Sequence, residues 1–332
     1  MKRPPIALVT GAGGELGRVL LPELSRRGFE VVALDLAALP RELAALCRET
    51  VQLNILDLPA LQLLLRRHQP TLVFHLAALL SAHAERDPEL AHRVNVEGAL
   101  GLLKLCWRLD PGPVRFLFPS SIAVYGLPDV AVKGEQGALK EWQWTTPRGV
   151  YGCNKLYCEL MGTYLARRPP ARGEGDGLDF RSIRFPGLIS AETLPTGGTT
   201  DYAPEMIHAA ARGEAYSCFV REDSRLPFMT MPDAVEALLR LTEADAERLS
   251  TRVYNVRGFS CSAAEIRDEV LRSFPAARIA FEPRAERQAI VDSWPADVDD
   301  SRARRDFGLA PRHGLAEAFG DYLVPALRRR YA

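Results

Sequence analysis

Two side chains in the middle of the sequence have the types and the spacing that proton transfer requires: Tyr151 and Lys155, in the pattern Y-x-x-x-K. On a helix, residues i and i+4 share a face, so the lysine ammonium can lie beside the phenol. A free phenol has a pKa of roughly 10 and is a poor base at neutral pH, but a neighbouring cation favours its phenolate form. The pair therefore predicts a general base, Tyr151, whose pKa Lys155 lowers. The ordinary alternative is an exposed pair on a helix.

A third candidate, Ser121, follows the apolar run 114–118, which is typical of a buried strand. Ligands of open α/β sheets bind at the carboxyl ends of the strands. The Ser121 hydroxyl is therefore placed to hold the reacting oxygen of a substrate. A serine after a strand is by itself more commonly a turn residue or a helix cap. The conjunction of these three residues with the two features that follow is more specific than any one of them.

The first of these features is a glycine-rich turn, G-x-x-G-x-x-G, formed by Gly11, Gly14 and Gly17 between the apolar run 6–10 and the amphipathic segment 15–27. Where a strand turns into a helix, such glycines permit a tight turn, a close backbone approach to a diphosphate and close packing of helix on strand. The N-terminus of the helix then offers N–H groups to the phosphates. This turn predicts a dinucleotide cofactor.

The second feature is Asp35, which ends the predicted second strand at 31–34. An acidic residue in this place accepts hydrogen bonds from the ribose hydroxyls of the adenosine. Its charge would repel a 2′-phosphate, and the next residue, Leu36, offers no cation to bind one. The sequence therefore favours NAD over NADP. The structural alternative is an aspartate that caps the following turn.

The elements around these residues alternate between strand-like and helix-like patterns. Short apolar runs predict strands at 6–10, 31–34, 72–76, 114–118 and 181–185, and amphipathic spacing predicts helices at 15–27 and 90–109. Alternating strands and helices indicate a parallel sheet covered on both faces. We therefore predict an α/β Rossmann fold, a doubly wound parallel sheet, with a smaller C-terminal substrate-binding lobe.

The second half of the chain is less regular, with helices predicted only at 232–241 and 263–273. We expect residues 1–186, with returning segments around 230–272, to form the NAD-binding domain, and residues 187–332 to form mainly the substrate-binding lobe. A polar loop is predicted over 127–148, near the site. The Pro- and Gly-rich, charged stretch 168–177 predicts a mobile surface excursion.

Composition excludes several classes of partner. The chain has 332 residues with 42 Lys plus Arg and 42 Asp plus Glu, so its formal net charge of zero offers no basic surplus for nucleic acid. Its six cysteines form no C-x-x-C pair, and no histidine cluster has metal spacing, so no metal is expected. No apolar run reaches the ~18 residues that a membrane span needs. The apolar run at 6–10 leaves no room for a signal peptide, and a cytoplasmic protein with reduced thiols is expected.

Together these motifs resemble the extended short-chain dehydrogenase/reductase superfamily, and within it the short-chain-type, NAD-dependent L-threonine 3-dehydrogenases. The resemblance extends over nearly the whole chain, and its most branch-specific parts are 197–202 and 287–295. Other segments that carry it are 75–82, 94–98, 181–190 and 231–234.

The resemblance implies where the ligands bind. It implies that Asn95 lies beneath the cofactor and that Trp294 closes over the substrate. Asn54 stands where relatives usually have an aspartate near the adenine, and the backbone at Ile55 is the remaining contact there. The cofactor-binding residues expected in all are Gly11, Gly14, Glu15, Leu16, Gly17, Asp35, Asn54, Ile55, Leu76, Ala77, Ala78, Asn95, Tyr151, Lys155 and Phe185. The substrate-binding residues expected are Ser81, Ser121, Tyr151, Thr199, Thr200 and Trp294.

The activity implied is oxidation of the 3-hydroxyl of L-threonine to 2-amino-3-oxobutanoate. The resemblance also implies a homodimer whose interface is formed by helices at about 90–109 and 150–167. The alternative is a nucleotide-sugar epimerase, which needs a larger pocket with basic groups for a diphosphate, such as Arg225 and Arg287. A sugar 4,6-dehydratase is disfavoured, because Ile122 and Ala123 occupy the places of its acidic pair. A non-catalytic cofactor sensor usually loses the tyrosine or the lysine, and both are present here.

Overall fold

The fold was obtained as a computed structural model, which describes residues 4–168, 170, 177–195 and 197–332. Most of the surface excursion predicted over 168–177 lies outside these residues. The strands are β1 (Ile6–Thr10), β2 (Glu30–Asp35), β3 (Glu49–Gln52), β4 (Leu72–His75), β5 (Val114–Ser121), β6 (Leu178–Phe185), β7 (Gly187–Ile189), β8 (Ala215–Cys218), β9 (Arg225–Thr230), β10 (Val253–Asn255), β11 (Phe259–Ser262) and β12 (Arg278–Phe281).

The helices alternate with the strands in the first half of the chain. They are α1 (Glu15–Arg26), α2 (Arg41–Ala44), α3 (Leu58–His68), α4 (Ser81–Arg86), α5 (Pro88–His92), α6 (Ala99–Trp107), α7 (Val130–Glu135), α8 (Val150–Ala166), α9 (Tyr202–Ala211), α10 (Met231–Glu243), α11 (Ala263–Ser273), α12 (Ala285–Ser293), α13 (Ser301–Phe307), α14 (Leu315–Glu317) and α15 (Val324–Arg330). A π-helical segment, Arg93–Gly98, joins α5 to α6, and a second one, Ala318–Leu323, joins α14 to α15. Short 3₁₀ turns lie at Ile122–Val124 and Ala246–Arg248.

Seven strands form one parallel sheet in the order β10-β6-β5-β4-β1-β2-β3. Alternate residues of a strand point to opposite faces, and the buried residues of the sheet accordingly belong to two core clusters. One cluster contains Ala7 and Val9 of β1 with residues of α1 and α10. The other contains Leu8 with residues of α3, α6 and α8. The predicted doubly wound α/β fold is thus confirmed.

The strand order reverses between β1 and β4, which places a crevice at their carboxyl ends, where such sheets bind ligands. The second half of the chain adds two small sheets, β11-β9-β7 and β12-β8. They border a third core cluster, which includes residues of α9, α11 and α15. Among the described residues, no helix is both long enough and apolar enough to cross a membrane.

Several elements were missed from the sequence, among them β3 and β10 of the central sheet, α3, α7, and the elements after residue 187 other than α10 and α11. Strand β3 (ETVQ) lies at the edge of the sheet and is only half-buried, so it carries no apolar run. The region 127–148, predicted as a loop, contains the short helix α7, which Asp129 caps by accepting a hydrogen bond from the Val132 amide at 2.8 Å. Strand β5 extends beyond the predicted 114–118 and ends at Ser121.

Candidate active site

The glycine turn brings the end of β1 against the segment that follows β4. Gly11 has a φ of +67°, which favours glycine, and a Cβ there would lie 2.6 Å from the Ala77 amide nitrogen. A Cβ on Gly17 would collide with the Ala12 carbonyl, so this glycine lets α1 pack against the turn. Helix α1 begins after Gly14 with no side-chain cap hydrogen bond. Its N-terminal end is therefore directed at the crevice without a capping side chain.

Asp35 lies beside this turn at the end of β2. Its Oδ2 accepts a hydrogen bond from the Gly13 amide at 2.8 Å, and its Oδ1 accepts one from the Ala37 amide at 3.1 Å. The carboxylate therefore lies against the backbone of the glycine turn. It also caps the turn after β2, as the structural alternative expected.

Tyr151 and Lys155 lie in the first turns of α8, on the face that looks into the crevice. The Lys155 Nζ is 5.5 Å from the centre of the Tyr151 ring and 4.6 Å from that of Phe118, and it donates a hydrogen bond to the Pro119 carbonyl at 2.7 Å. Burial lowers the pKa of Lys155 to about 8.

The expected lowering of the Tyr151 pKa is not seen in the protein alone. Burial raises the pKa of this phenol above its ordinary value. The helical spacing correctly brings the ammonium near the ring, but it contains no information about desolvation, which disfavours the phenolate. A further positive charge close to the phenol is needed to reverse the shift.

Ser121 is the last residue of β5, and its Oγ accepts a hydrogen bond from the Ala123 amide at 3.1 Å. It thus lies at the carboxyl end of the sheet, as predicted, and also caps the following turn. The neighbouring Ser120 was not expected. Its hydroxyl is buried and lacks a hydrogen-bond partner among the described residues, and the side chain lines the same cavity.

A single cavity of about 710 Å³ joins the glycine turn to these side chains. The predicted residues that line it are Gly11, Gly14, Glu15, Leu16, Gly17, Leu76, Ala78, Ser81, Ser121, Tyr151, Lys155, Phe185, Thr199, Thr200 and Trp294. The cavity therefore brings together both the predicted cofactor residues and the predicted substrate residues.

The remaining predicted residues, Asp35, Asn54, Ile55, Ala77 and Asn95, are not among those that line the cavity. The amide of Asn95 accepts a hydrogen bond from the Leu79 N–H at 2.7 Å and donates one to the Leu79 carbonyl at 3.0 Å, and so fixes the segment after β4. Ala77 lies against Gly11. The Asn54 Oδ1 accepts from the Leu56 amide at 3.0 Å, and Ile55 is buried in the core.

The end of the cavity away from the glycine turn joins parts of the chain that are far apart in sequence. The hydroxyls of Ser81 and Thr199 are hydrogen-bonded at 3.0 Å, and the Thr199 amide donates to the Ser81 Oγ at 3.2 Å. Thr200 and the buried Trp294 line the same end. The two threonines, unremarkable as a loop sequence, are thus held at a defined position.

Asp201 also lines this end and was not predicted. Its carboxylate accepts hydrogen bonds from the amides of Gly197 and Gly198, at 2.8 and 2.5 Å, and so shapes the loop that presents Thr199. Its place inside the branch-specific stretch 197–202 could have identified it.

The two arginines proposed for a sugar diphosphate lie outside the residues that line the cavity. Arg287 stacks on Phe219, 3.6 Å from the ring centre, and donates to the Gly198 carbonyl. Arg225 pairs with Glu265 at 2.6 Å. Both guanidinium groups thus have other partners, and the structure gives no support to the idea that they hold a diphosphate, which stays untested.

The chain is similar to known proteins over most of its length. The model of the NAD dependent epimerase/dehydratase family matches residues 7–256. A mitochondrial L-threonine 3-dehydrogenase of Bos taurus is 37% identical over 318 residues, covering 93% of this chain and 79% of that protein.

Two solved structures are similar over almost the whole chain. A monomeric L-threonine 3-dehydrogenase from a metagenome is 33% identical with a TM-score of 0.87, covering 98% of this chain and 100% of that one. The holo form of a GalE-like L-threonine dehydrogenase from Cupriavidus necator is 36% identical with a TM-score of 0.83, covering 97% and 99%.

Proposed function

The chain belongs to the NAD dependent epimerase/dehydratase family and is an NAD-dependent dehydrogenase. From this premise we propose that it oxidises the 3-hydroxyl of L-threonine to 2-amino-3-oxobutanoate. One observation carries the proposal. Tyr151 and Ser121 lie in the same cavity as the hydrogen-bonded pair Ser81–Thr199, and the glycine turn forms its other end. A small hydroxylated substrate and a dinucleotide can therefore meet there.

The residues present fit NAD. The glycines of the turn have no side chains that would fill the space beside its backbone. Helix α1 begins there without a side-chain cap, so its backbone N–H groups can bind the diphosphate. Asp35 would hold the adenosine ribose and Lys155 the nicotinamide ribose. When bound, NAD supplies the hydride acceptor and a positively charged ring.

The side chains of this protein would handle the proton and the orientation. Tyr151 takes the proton of the substrate 3-hydroxyl as general base, while Ser121 hydrogen-bonds the same oxygen and orients it. The C3–H bond breaks with its electron pair as hydride, and C3 becomes a carbonyl carbon. Lys155, fixed by the Pro119 carbonyl, supplies a positive charge beside the phenol. Since burial raises the Tyr151 pKa, this charge and that of the oxidised cofactor are both needed for the phenolate.

The alternative, a nucleotide-sugar epimerase, has less support, because Arg225 and Arg287 have other partners. Spectrophotometric measurement of NAD reduction with L-threonine, L-serine and L-allo-threonine tests the dehydrogenase activity. Because epimerisation causes no net reduction of NAD, UDP-sugars are instead assayed for interconversion of the two epimers. We expect reduction with L-threonine. Absence of reduction with any amino acid would reject the proposal.

We further propose that the protein is a homodimer that uses α8, where Tyr157, Leu160 and Tyr164 form an exposed apolar stripe. The spacing of these residues places them on one face of the helix. We also propose that residues 1–186, with returning segments around 230–272, form the NAD-binding domain and that residues 187–332 form mainly the substrate-binding lobe. The position of β10 in the main sheet supports the return of the chain to the first domain.

A further inference from the structure

The wall of the cavity at residues 190–194 is held by α15 and the residues on either side of it. The Tyr322 hydroxyl accepts a hydrogen bond from the Ala191 amide at 3.1 Å. Arg330 donates to the Glu192 carbonyl at 2.6 Å and lies within 3.4 Å of the Ala191 carbonyl. These contacts bind the backbone of the wall, so they set its position whatever its side chains are.

A second connection passes through a buried histidine. The Tyr331 hydroxyl lies 2.8 Å from Nδ1 of His208, whose Nε2 lies 3.2 Å from the Ser190 carbonyl. Burial lowers the pKa of His208, which favours the neutral ring. In the tautomer that carries its proton on Nε2, the ring donates to Ser190 and accepts from Tyr331, so each group has a partner.

The residues held in this way face the cavity. Glu192, Thr193 and Leu194 line it together with Tyr151 and Ser121. The amides of Glu192 and Thr193 donate to the Ser190 Oγ at 3.1 and 3.3 Å, so the segment is a turn whose base is the buried Ser190. A shift of Ser190 or Ala191 would therefore move the whole turn relative to the catalytic side chains.

We propose that Arg330, and Tyr331 acting through His208, are positioning residues that hold the turn 190–194 in the conformation that receives the substrate. The identity of that substrate rests on the proposed function. The groups that Arg330 and Tyr331 hold belong to the turn 190–194 and not to the glycine turn, so we expect the positioning to act on the substrate and not on NAD.

The test compares Tyr331→Phe and Arg330→Ala with Arg329→Ala, which removes an exposed arginine from the same helix without any hydrogen bond described for it. We expect each of the first two to raise KM for L-threonine about 3- to 10-fold, the range for one lost hydrogen bond. KM for NAD should stay within about twofold of wild type, and kcat should change less than KM for L-threonine. Arg330→Lys retains a hydrogen-bond donor, so its KM for L-threonine should lie between the values of wild type and Arg330→Ala. Hydrogen exchange of peptides that contain residues 190–194 should become faster in the two variants and not in Arg329→Ala.

Three outcomes would overturn the proposal. The first is an unchanged rate of hydrogen exchange in residues 190–194 of the two variants. The second is an unchanged KM for a substrate that wild type does oxidise. The third is a parallel loss of NAD binding with a lower Tm, which would indicate a merely structural role. If wild type oxidises no amino acid, the proposed function fails, while the exchange measurement still decides whether α15 holds the turn.

Discussion

The Lys155 ammonium lies 5.5 Å from the centre of the Tyr151 ring and gives its hydrogen bond to a backbone carbonyl, that of Pro119. The lysine thus acts on the tyrosine through its charge and not through a shared proton. Because the hydrogen bond to the Pro119 carbonyl fixes the ammonium, its positive charge stays in place while the phenol loses or gains its proton.

Replacing Tyr151 by phenylalanine removes the proposed base and keeps the ring. We expect turnover to fall at least about 10²-fold, within the usual range for general acid–base catalysis. Folding and NAD binding should remain near wild type, as measured by Tm and fluorescence titration. Tyr157→Phe, on the same helix but outside the cavity lining, is the matched control. Activity retained in Tyr151→Phe would refute the assigned role.

Replacing Lys155 by methionine should stabilise the protein without NAD while it abolishes turnover. Burial lowers the pKa of Lys155 to about 8, below the value of roughly 10.4 for an unfolded lysine. The unfolded state then binds more protons between these pH values, so wild-type stability rises from pH 8 to about pH 10.4 as the buried charge is lost. At pH 7 we expect Lys155→Met to be about 1–3 kcal/mol more stable to denaturant.

The same denaturation experiment at pH 10 supplies the control. The stability difference between Lys155→Met and wild type should shrink there, since the wild-type lysine is neutral in the folded protein. A difference that does not depend on pH would mean that packing, and not charge burial, separates the two proteins.

Cofactor choice should follow Asp35 and its neighbour. Leu36 is 69% exposed, so an arginine can be placed there without disturbing the core. We expect the double variant Asp35→Ser, Leu36→Arg to accept NADP and to lose at least about tenfold in kcat/KM with NAD, because the ribose acceptor is gone and a cation has been added. Leu36→Arg alone, measured for both cofactors, should still prefer NAD. If the double variant keeps full NAD activity, Asp35 serves only as a turn cap.

Oligomeric state should depend on α8. Leu160 is 62% exposed at the centre of the apolar stripe, and a glutamate there would place an unpaired charge inside the proposed interface. We expect Leu160→Glu to halve the mass found by light scattering. Leu63→Glu makes the same change at an equally exposed leucine of α3 and should leave the mass unchanged. A wild-type protein that is monomeric at all concentrations tested would contradict the proposal.

The sequence predicted the central sheet well, because its buried strands carry apolar runs and its helices are amphipathic. It also predicted that Tyr151 and Lys155 share a helical face, since that depends on local spacing alone. The edge strand Glu49–Gln52 was missed because it is only half-buried and therefore carries no apolar run. Burial raises the pKa of Tyr151 in the protein alone, an effect that depends on the whole fold and that local spacing does not contain. The lowering expected from Lys155 together with an oxidised nicotinamide stays a prediction. The contacts of Ser81 with Thr199, and of α15 with residues 190–194, join distant parts of the chain that no local pattern connects.

The π-helical segment Arg93–Gly98 contains Asn95, whose amide holds both backbone groups of Leu79. A π turn accommodates one residue more than an α turn does. Deleting a single residue upstream of Asn95 within this segment would allow a regular α-helix, yet it would rotate the amide by about 100° away from Leu79. The number of residues in this segment therefore sets the orientation of Asn95 toward Leu79. A helix shorter by one residue would have regular α-helical hydrogen bonds but would lose the two hydrogen bonds that fix the segment after β4.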